Sequence, residues 1–290
     1  MMVQTVGWGA RGAEPPGRVG WLTSPAHEGG ALGNLTVSRE SGGITTVVLD
    51  RPPVNALDTD TYIEVRDTFE SFRDDPEVRV VIFTAAGERA FIAGADLKEY
   101  AEPPADPPPS RLVDPGLLPR QAMWSIYDCA VPVIGAVNGP ALGGGLAWAA
   151  CCDVLVAAEG VIFAAPEINV GLLGASSHLV RMVGPYLARE MFFSGRSVTA
   201  EELHARGVIS RVVPRSELID AARRLAAGMA DKSPLALRLA KESMNRVDGL
   251  PLKEGYRLEQ EYTNRLQNLE DSKEARDAFL EKRPPVWRMR

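Results

Sequence analysis

From about residue 34 onward the apolar and polar positions alternate between short strand-like runs and amphipathic segments. "NLTVSRE" and "ITTVVLDRP" alternate with a period of two around the turn residues "SGG" at 41–43, which predicts a pair of strands. In "NALDTDTYIEVRDTFESFRDDP", Leu57, Ile63, Val65, Phe69 and Phe72 recur at near-helical spacing, with Pro76 as a stop signal. "EVRVVIFTA" (77–85) reads as a buried strand, so the order strand, helix, strand points to a parallel βαβ unit. Stretch 102–119 carries seven prolines and predicts a long loop without a regular element. Further on, a helix is expected near 120–129, strands at "VPVIGAV", "DVLVAAE" and "VIFAAPE", and helices around 176–190 and 199–206. A capping box of Thr199 and Glu202 starts the last of these and Gly207 ends it. "VISRVVP" (208–214) is a final strand or extended segment. Beyond Glu217 the pattern is helical, with Pro234 at a first-turn position and an acidic helix start at Glu270–Asp271.

Composition narrows the class. A hydrophobic content of 45% and a charged content of 24% are ordinary for a soluble globular protein. A net charge of −6 without a basic block argues against nucleic acid as a partner. Cys129, Cys151 and Cys152 lack metal-site or disulfide spacing and are expected to be buried reduced thiols, in keeping with a cytoplasmic protein. Residues 1–33, rich in Gly, Pro, Ala and Arg near their start, read as a flexible extension without a signal-like apolar run. The uncharged stretch 131–152 is long enough for a membrane span but is broken by Pro132, Asn138, Pro140 and glycines, so it predicts strand, turn and buried helix instead.

That turn, "NGPALGGG", places free backbone N–H groups at a helix start, where negative charge is stabilised. Leu146 and Ala147 follow the last glycine, so the phosphate-loop pattern fails, and GxGxxG is absent. What remains is an oxyanion site or a structural turn. "RAFIAGADLKEY" (89–100) supplies a second small-residue bend, at Gly94, Ala95 and Asp96, able to converge on the same oxygen.

With "RPPVNAL", "FIAGADLKEY", "VNGPALGGG", "CDVLVAAEGVIFAAPEINVGLLG" and "SPLALRLAKES" in this order, the chain resembles the enoyl-CoA hydratase/isomerase family of the crotonase superfamily, from about residue 34 to the end. The resemblance implies an α/β crotonase-like spiral of ββα units: a core over 34–215 and a C-terminal helical trimerisation region over 216–290, assembled as a homotrimer or dimer of trimers. It implies an acyl-CoA thioester as partner, no metal, and no cofactor beyond the coenzyme A of the substrate. The thioester oxygen would sit between the N–H groups of Ala95 and Gly144. Ala95, Asp96, Leu97 and Lys98 would line the thioester and pantetheine end, and Asn55, Ala56 and Leu57 would lie near the adenine. Phe279 and Lys282 match a tail that reaches coenzyme A, often on a neighbouring subunit.

The family's hydratases use two glutamates. One position is Glu167 here; the other is Ala147, which cannot transfer a proton or position water. Glu167 is therefore the expected acid/base, and a double-bond isomerase is favoured. Hydration, thioester hydrolysis, decarboxylation and non-catalytic binding of a CoA thioester are the alternatives. Ser176, Ser177 and His178 follow Glu167, and His178 is a second candidate base. Asp96 fits a helix cap and Asp153 a structural role.

Overall fold

The computed structural model describes residues 31–101 and 107–290. The expected extension over 1–33 therefore lies mostly outside the described residues, as do the first residues of the proline-rich stretch.

Strands β1 (Ala31–Leu32), β2 (Leu35–Glu40) and β3 (Ile44–Leu49) pair antiparallel, β2 and β3 around the predicted turn. A short β4 (Ala56–Leu57) leads into α1 (Thr59–Ser71), whose N-cap Asp58 accepts from the Thr61 amide at 2.9 Å. Next come β5 (Val80–Ala85), the two-residue β6 (Gly94–Ala95) and the short α2 (Leu97–Ala101). The proline-rich segment is not without regular structure: α3 (Pro109–Val113) places Pro109 in its first turn, where no amide is needed, and α4 begins at Leu117 and runs to Tyr127.

In the second half, β7 (Val133–Val137), β8 (Ala141–Leu142), α5 (Gly144–Cys151), β9 (Val154–Ala158) and β10 (Ile162–Ala164) follow in quick order. The helix expected over 176–190 is two helices, α6 (Ser176–Val183) and α7 (Pro185–Ser194). They break at Gly184, whose φ of 76° does not continue a helix, and at Pro185. Then come β11 (Val198–Thr199), α8 (Ala200–Ala205) with its capping box in place, and β12 (Arg211–Val213). Helices α9 (Leu218–Ala230), α10 (Pro234–Val247), α11 (Leu252–Gln267) and α12 (Glu270–Glu281) complete the chain.

The main sheet has the order β1-β2-β3-β5-β7-β9-β12, parallel from β3 onward. Its central strands β5 and β7 are fully buried, as a sheet covered on both faces requires. On one face Phe83 meets Phe69 of α1, Phe91 and Trp148 of α5, with ring centroids 5.6–6.2 Å apart, the Phe69 and Phe91 contacts edge-on. The other face carries α9, whose Leu218, Ala221, Ala222, Ala226 and Ala230 join the same core. Packing thus places α9 with the sheet, although the expected C-terminal region began at 216. Every residue of α5 from Gly145 to Cys151 is buried, which is why its sequence has no polar face. No helix among the described residues is long and apolar enough to cross a membrane.

Small second-layer strands fix the turns beyond the sheet. β4 pairs with β6, β8 pairs with β10, and β10 pairs with β11. A single parallel bridge, Ile92 to Ala141, joins these two groups.

Candidate active site

Two segments leaving the C-terminal ends of β5 and β7 run side by side into the site. Phe91 N donates to Pro140 O at 3.0 Å beside the Ile92–Ala141 bridge. On the far edge, Asp96 N donates to Leu57 O at 2.9 Å. The Ala95 nitrogen lies 3.9 Å from the point where a Cβ on Gly144 would stand. Gly144 is the first residue of α5; the first bond within the helix is Ala147 N to Gly143 O at 3.2 Å, so the Gly144 N–H has no intrahelical acceptor. Ala95 and Gly144 therefore lie side by side, with the Gly144 amide free of the helix ladder.

Each glycine of the turn answers a different demand. Gly143 has φ 54° and ψ −115°, a conformation costly for any side chain. A Cβ on Gly144 would stand 3.3 Å from Gly94 Cα, and one on Gly145 only 1.9 Å from Ile92 O. The Gly143 amide donates to Ala164 O at 2.8 Å, which ties the turn to β10 three residues before Glu167.

Glu167 sits in a 3-10 turn (Pro166–Val170). Its Oε1 lies 2.9 Å from the Cβ positions of both Gly143 and Gly174, so two glycines wall the carboxylate. Its Oε2 is buried without a hydrogen-bond partner among the described residues. Such an oxygen is rare in folded proteins and is characteristic of a ligand-binding or catalytic group. Ala147, on α5, is buried and offers only a methyl group.

The other expected residues divide. Asp96 does cap: its Oδ1 accepts from Lys98 N at 3.0 Å, while Oδ2 pairs with Arg51 at 2.7 Å. The Arg51 hydrogen bond holds the Asp96 carboxyl below the usual range. Lys98 is exposed. Asn55 is buried at 4% exposure with φ 55°, and its side chain is committed to protein: Nδ2 donates to Ala86 O and Ala90 O, and Oδ1 accepts from Arg51 N. Leu57 is buried too. Any ligand contact of the 55–57 segment thus falls to its backbone and to Ala56. His178 is half-buried near the start of α6; burial, then the neighbouring Arg181, lowers its pKa. No hydrogen bond joins its ring to Glu167 among the described residues, so a paired base is not formed here. Asp153 forms a structural pair with the buried Lys241 at 2.7 Å. All three cysteines are buried and free.

Phe279 and Lys282 lie elsewhere. Phe279 borders a groove with Arg79, Asp231, Arg283 and Trp287. Arg79 precedes the first residue of β5, whereas the Ala95 and Gly144 turns lie beyond the last, so about one strand length, roughly 17–20 Å, separates them. Within one chain the tail does not meet Glu167.

Two turns with main-chain amides side by side, and an unpartnered carboxylate next to them, make an arrangement that can stabilise charge on a carbonyl oxygen and move a proton nearby. The comparisons give that arrangement its family. The enoyl-CoA hydratase/isomerase family model matches residues 39–290, and the chain belongs to that family. It is 40% identical over 251 residues to the (7aS)-7a-methyl-1,5-dioxo-2,3,5,6,7,7a-hexahydro-1H-indene-carboxyl-CoA hydrolase of Rhodococcus jostii, covering 87% of this chain and 96% of that protein. It is 41% identical over 258 residues to a carnitinyl-CoA dehydratase of Salmonella paratyphi B, covering 86% and 97%. Among solved structures, an enoyl-CoA hydratase from Bacillus anthracis superposes with a TM-score of 0.80 at 31% identity, covering 88% of this chain and 98% of that one.

Two features of the site escaped sequence reading. Gly174 lies in a segment with no pattern that ties it to Glu167, and Arg51 meets Asp96 across 45 residues. The Arg at the end of a strand before "PPVN" was visible, but nothing along the chain names its partners.

Proposed function

We propose that the protein catalyses proton transfer within an acyl-CoA thioester, with Glu167 as the single acid/base and the Ala95 and Gly144 amides as the oxyanion hole. The carrying observation is the Glu167 carboxylate: Oε2 is buried and unpartnered, the walls are glycine, and the residue at 147 is a buried alanine. In a 3-enoyl thioester, Glu167 takes a proton from C2. The electron pair moves through the thioester to its oxygen, where the two amides meet the growing charge. Glu167, whose carboxyl proton exchanges with solvent, then delivers a proton to C4, the double bond ends between C2 and C3, and no water is consumed. One positioned carboxylate is enough for this, and its contribution is roughly 10²–10⁴ in rate.

The 40% identity to a carboxyl-CoA hydrolase favours one second reading: hydrolysis of a cyclic acyl-CoA, with the same hole holding the enolate. Incubation of the protein with 3-enoyl-, 2-enoyl- and cyclic dicarbonyl acyl-CoA in deuterium oxide separates the two by mass. Isomerisation with deuterium uptake and no added water supports proton transfer; gain of one water on the cyclic compound supports hydrolysis. Full turnover by Glu167→Gln would remove Glu167 from the mechanism.

The exposure of Phe279 (83%) and its distance from Glu167 support a reading in which the tail serves a neighbouring subunit of a trimer. Sedimentation of the full chain tests it; a monomer that turns over normally would overturn it.

A further inference from the structure

We infer that Arg51 is a positioning residue for the oxyanion hole: its guanidinium, acting through Asp96, fixes the direction of the Ala95 N–H. This rests on the proposed oxyanion role of Ala95. The Arg51 side chain makes three bonds, two to the 56–58 stretch and one to Asp96. Nε donates to Asp58 Oδ2 at 2.9 Å, Nη1 to Ala56 O at 2.8 Å, and Nη2 to Asp96 Oδ2 at 2.7 Å. Each partner has a defined place. Asp58 is the N-cap of α1, with Oδ1 accepting from the Thr61 amide. Ala56 begins β4, the strand that β6 pairs with. Asp96 follows Ala95 directly and caps the start of α2 through Lys98 N.

Asp96 is therefore held at three points around one peptide. Its own amide is bonded to Leu57 O, one carboxylate oxygen to Lys98 N, and the other to Arg51. The Ala95 N–H lies in the peptide plane shared with Gly94, and the planar Ala95–Asp96 peptide joins that plane at Ala95 Cα, so fixing Asp96 leaves the N–H only the rotation about the Ala95 N–Cα bond. Gly94, on the other side, has φ 106°, a flexible neighbour that would not restrain Ala95 by itself. Arg51 is anchored in turn: its amide donates to Asn55 Oδ1 at 2.9 Å, and Asn55 is tied to Ala86 O and Ala90 O in the interior. A chain of fixed groups runs from the buried loop through Arg51 to the donor. A planar fork with donors in fixed directions suits this; a lysine offers one point charge in its place. At 24% side-chain exposure, Arg51 is distant from bulk screening yet not sealed.

The test reads the thioester directly. A saturated acyl-CoA labelled with carbon-13 at the carbonyl is bound to the full-length protein, and its carbonyl stretch is followed by isotope-edited infrared spectroscopy. Wild-type protein is expected to move the band to lower wavenumber. Arg51→Lys is expected to lose at least half of that shift and about tenfold in kcat, with KM for the thioester changed less than threefold. Arg51→Ala is expected to regain shift and rate when millimolar guanidinium is added, whereas a merely structural loss would not be restored. Should Arg51→Ala not fold, Asp96→Asn, which keeps the Lys98 cap acceptor, gives the same comparison. If the wild-type protein binds the thioester without moving the band, the oxyanion reading itself fails. If wild type moves the band and Arg51→Lys moves it equally, the role of Arg51 is overturned while the hole stands.

Discussion

Gly174→Ala separates the position of Glu167 from the stability of the fold. Gly174 is not in the left-handed region, so alanine adopts its backbone conformation without strain. The added Cβ would stand 2.9 Å from Glu167 Oε1 and 3.5 Å from both Cδ and Cγ. Ordinary contact begins at 3.4 Å, so Oε1 must retreat by about 0.5 Å to leave the repulsive range. Cδ and Cγ stay at ordinary contact distance from the methyl, so the adjustment falls on Oε1, which swings out of the place it holds between the two glycines. A displacement of 1 Å at a reacting group costs about 10²-fold; half of that suggests roughly tenfold, or about 1.4 kcal/mol of barrier. The fold should not suffer. The group that moves is the free end of a flexible side chain, and replacing glycine by alanine reduces unfolded-state entropy by about 0.4–1 kcal/mol. The expected result is a kcat near one tenth of wild type for deuterium exchange at C2 of an acyl-CoA, with KM unchanged and Tm equal or slightly higher. Exchange at the wild-type rate in a folded variant would refute the glycine wall. A Tm lower by many degrees would show that Gly174 serves the fold instead.

The remaining predictions concern other parts of the same design. Gly145→Ala places a Cβ 1.9 Å from the backbone oxygen of Ile92, which cannot yield as a side chain does; a urea melt should show a loss at or above the usual overpacking range of about 1–3 kcal/mol. Lys241→Met removes the cation that meets Asp153 Oδ2, Ile126 O and Val131 O inside the protein, and should cost about 3–5 kcal/mol by the same measurement. His178 has a lowered pKa, from burial first and Arg181 second, so the unfolded chain binds the proton more readily than the folded one. Stability should therefore fall as pH drops below the ordinary value near 6.5, and a pH series of melts on His178→Gln should show a smaller fall. Glu167→Gln should lower C2 exchange by roughly 10²–10⁴ while calorimetry still detects binding of the thioester.

How far the sequence could be read follows from the range of each interaction. Period-two and near-helical apolar patterns, turn glycines and the Thr199 capping box depend on neighbours a few residues away, so the paired strands around 41–43, the βαβ unit and α8 were all legible. Segments governed by one residue's geometry were less so. Proline at 109 was read as a breaker, yet in a first turn it starts a helix, and the break at Gly184–Pro185 divided one expected helix in two. The site is the least local part. Ala95 and Gly144 were placed by family resemblance, and the Ile92–Ala141 bridge with the Phe91 N–Pro140 O bond shows why two turns 49 residues apart lie together. Asn55 illustrates the converse: its place in "VNAL" pointed to a ligand, whereas its three side-chain bonds go to the protein. The same bonds hold Arg51, and Arg51 holds Asp96. A residue assigned to ligand contact by resemblance thus has a physical reason to be asparagine that needs no ligand. It is small, it adopts φ 55° more readily than most residues, and it satisfies a donor and two acceptors that a buried turn would otherwise leave unpaired. Asn55→Ala should accordingly alter the site through Arg51, with kcat falling in parallel with stability.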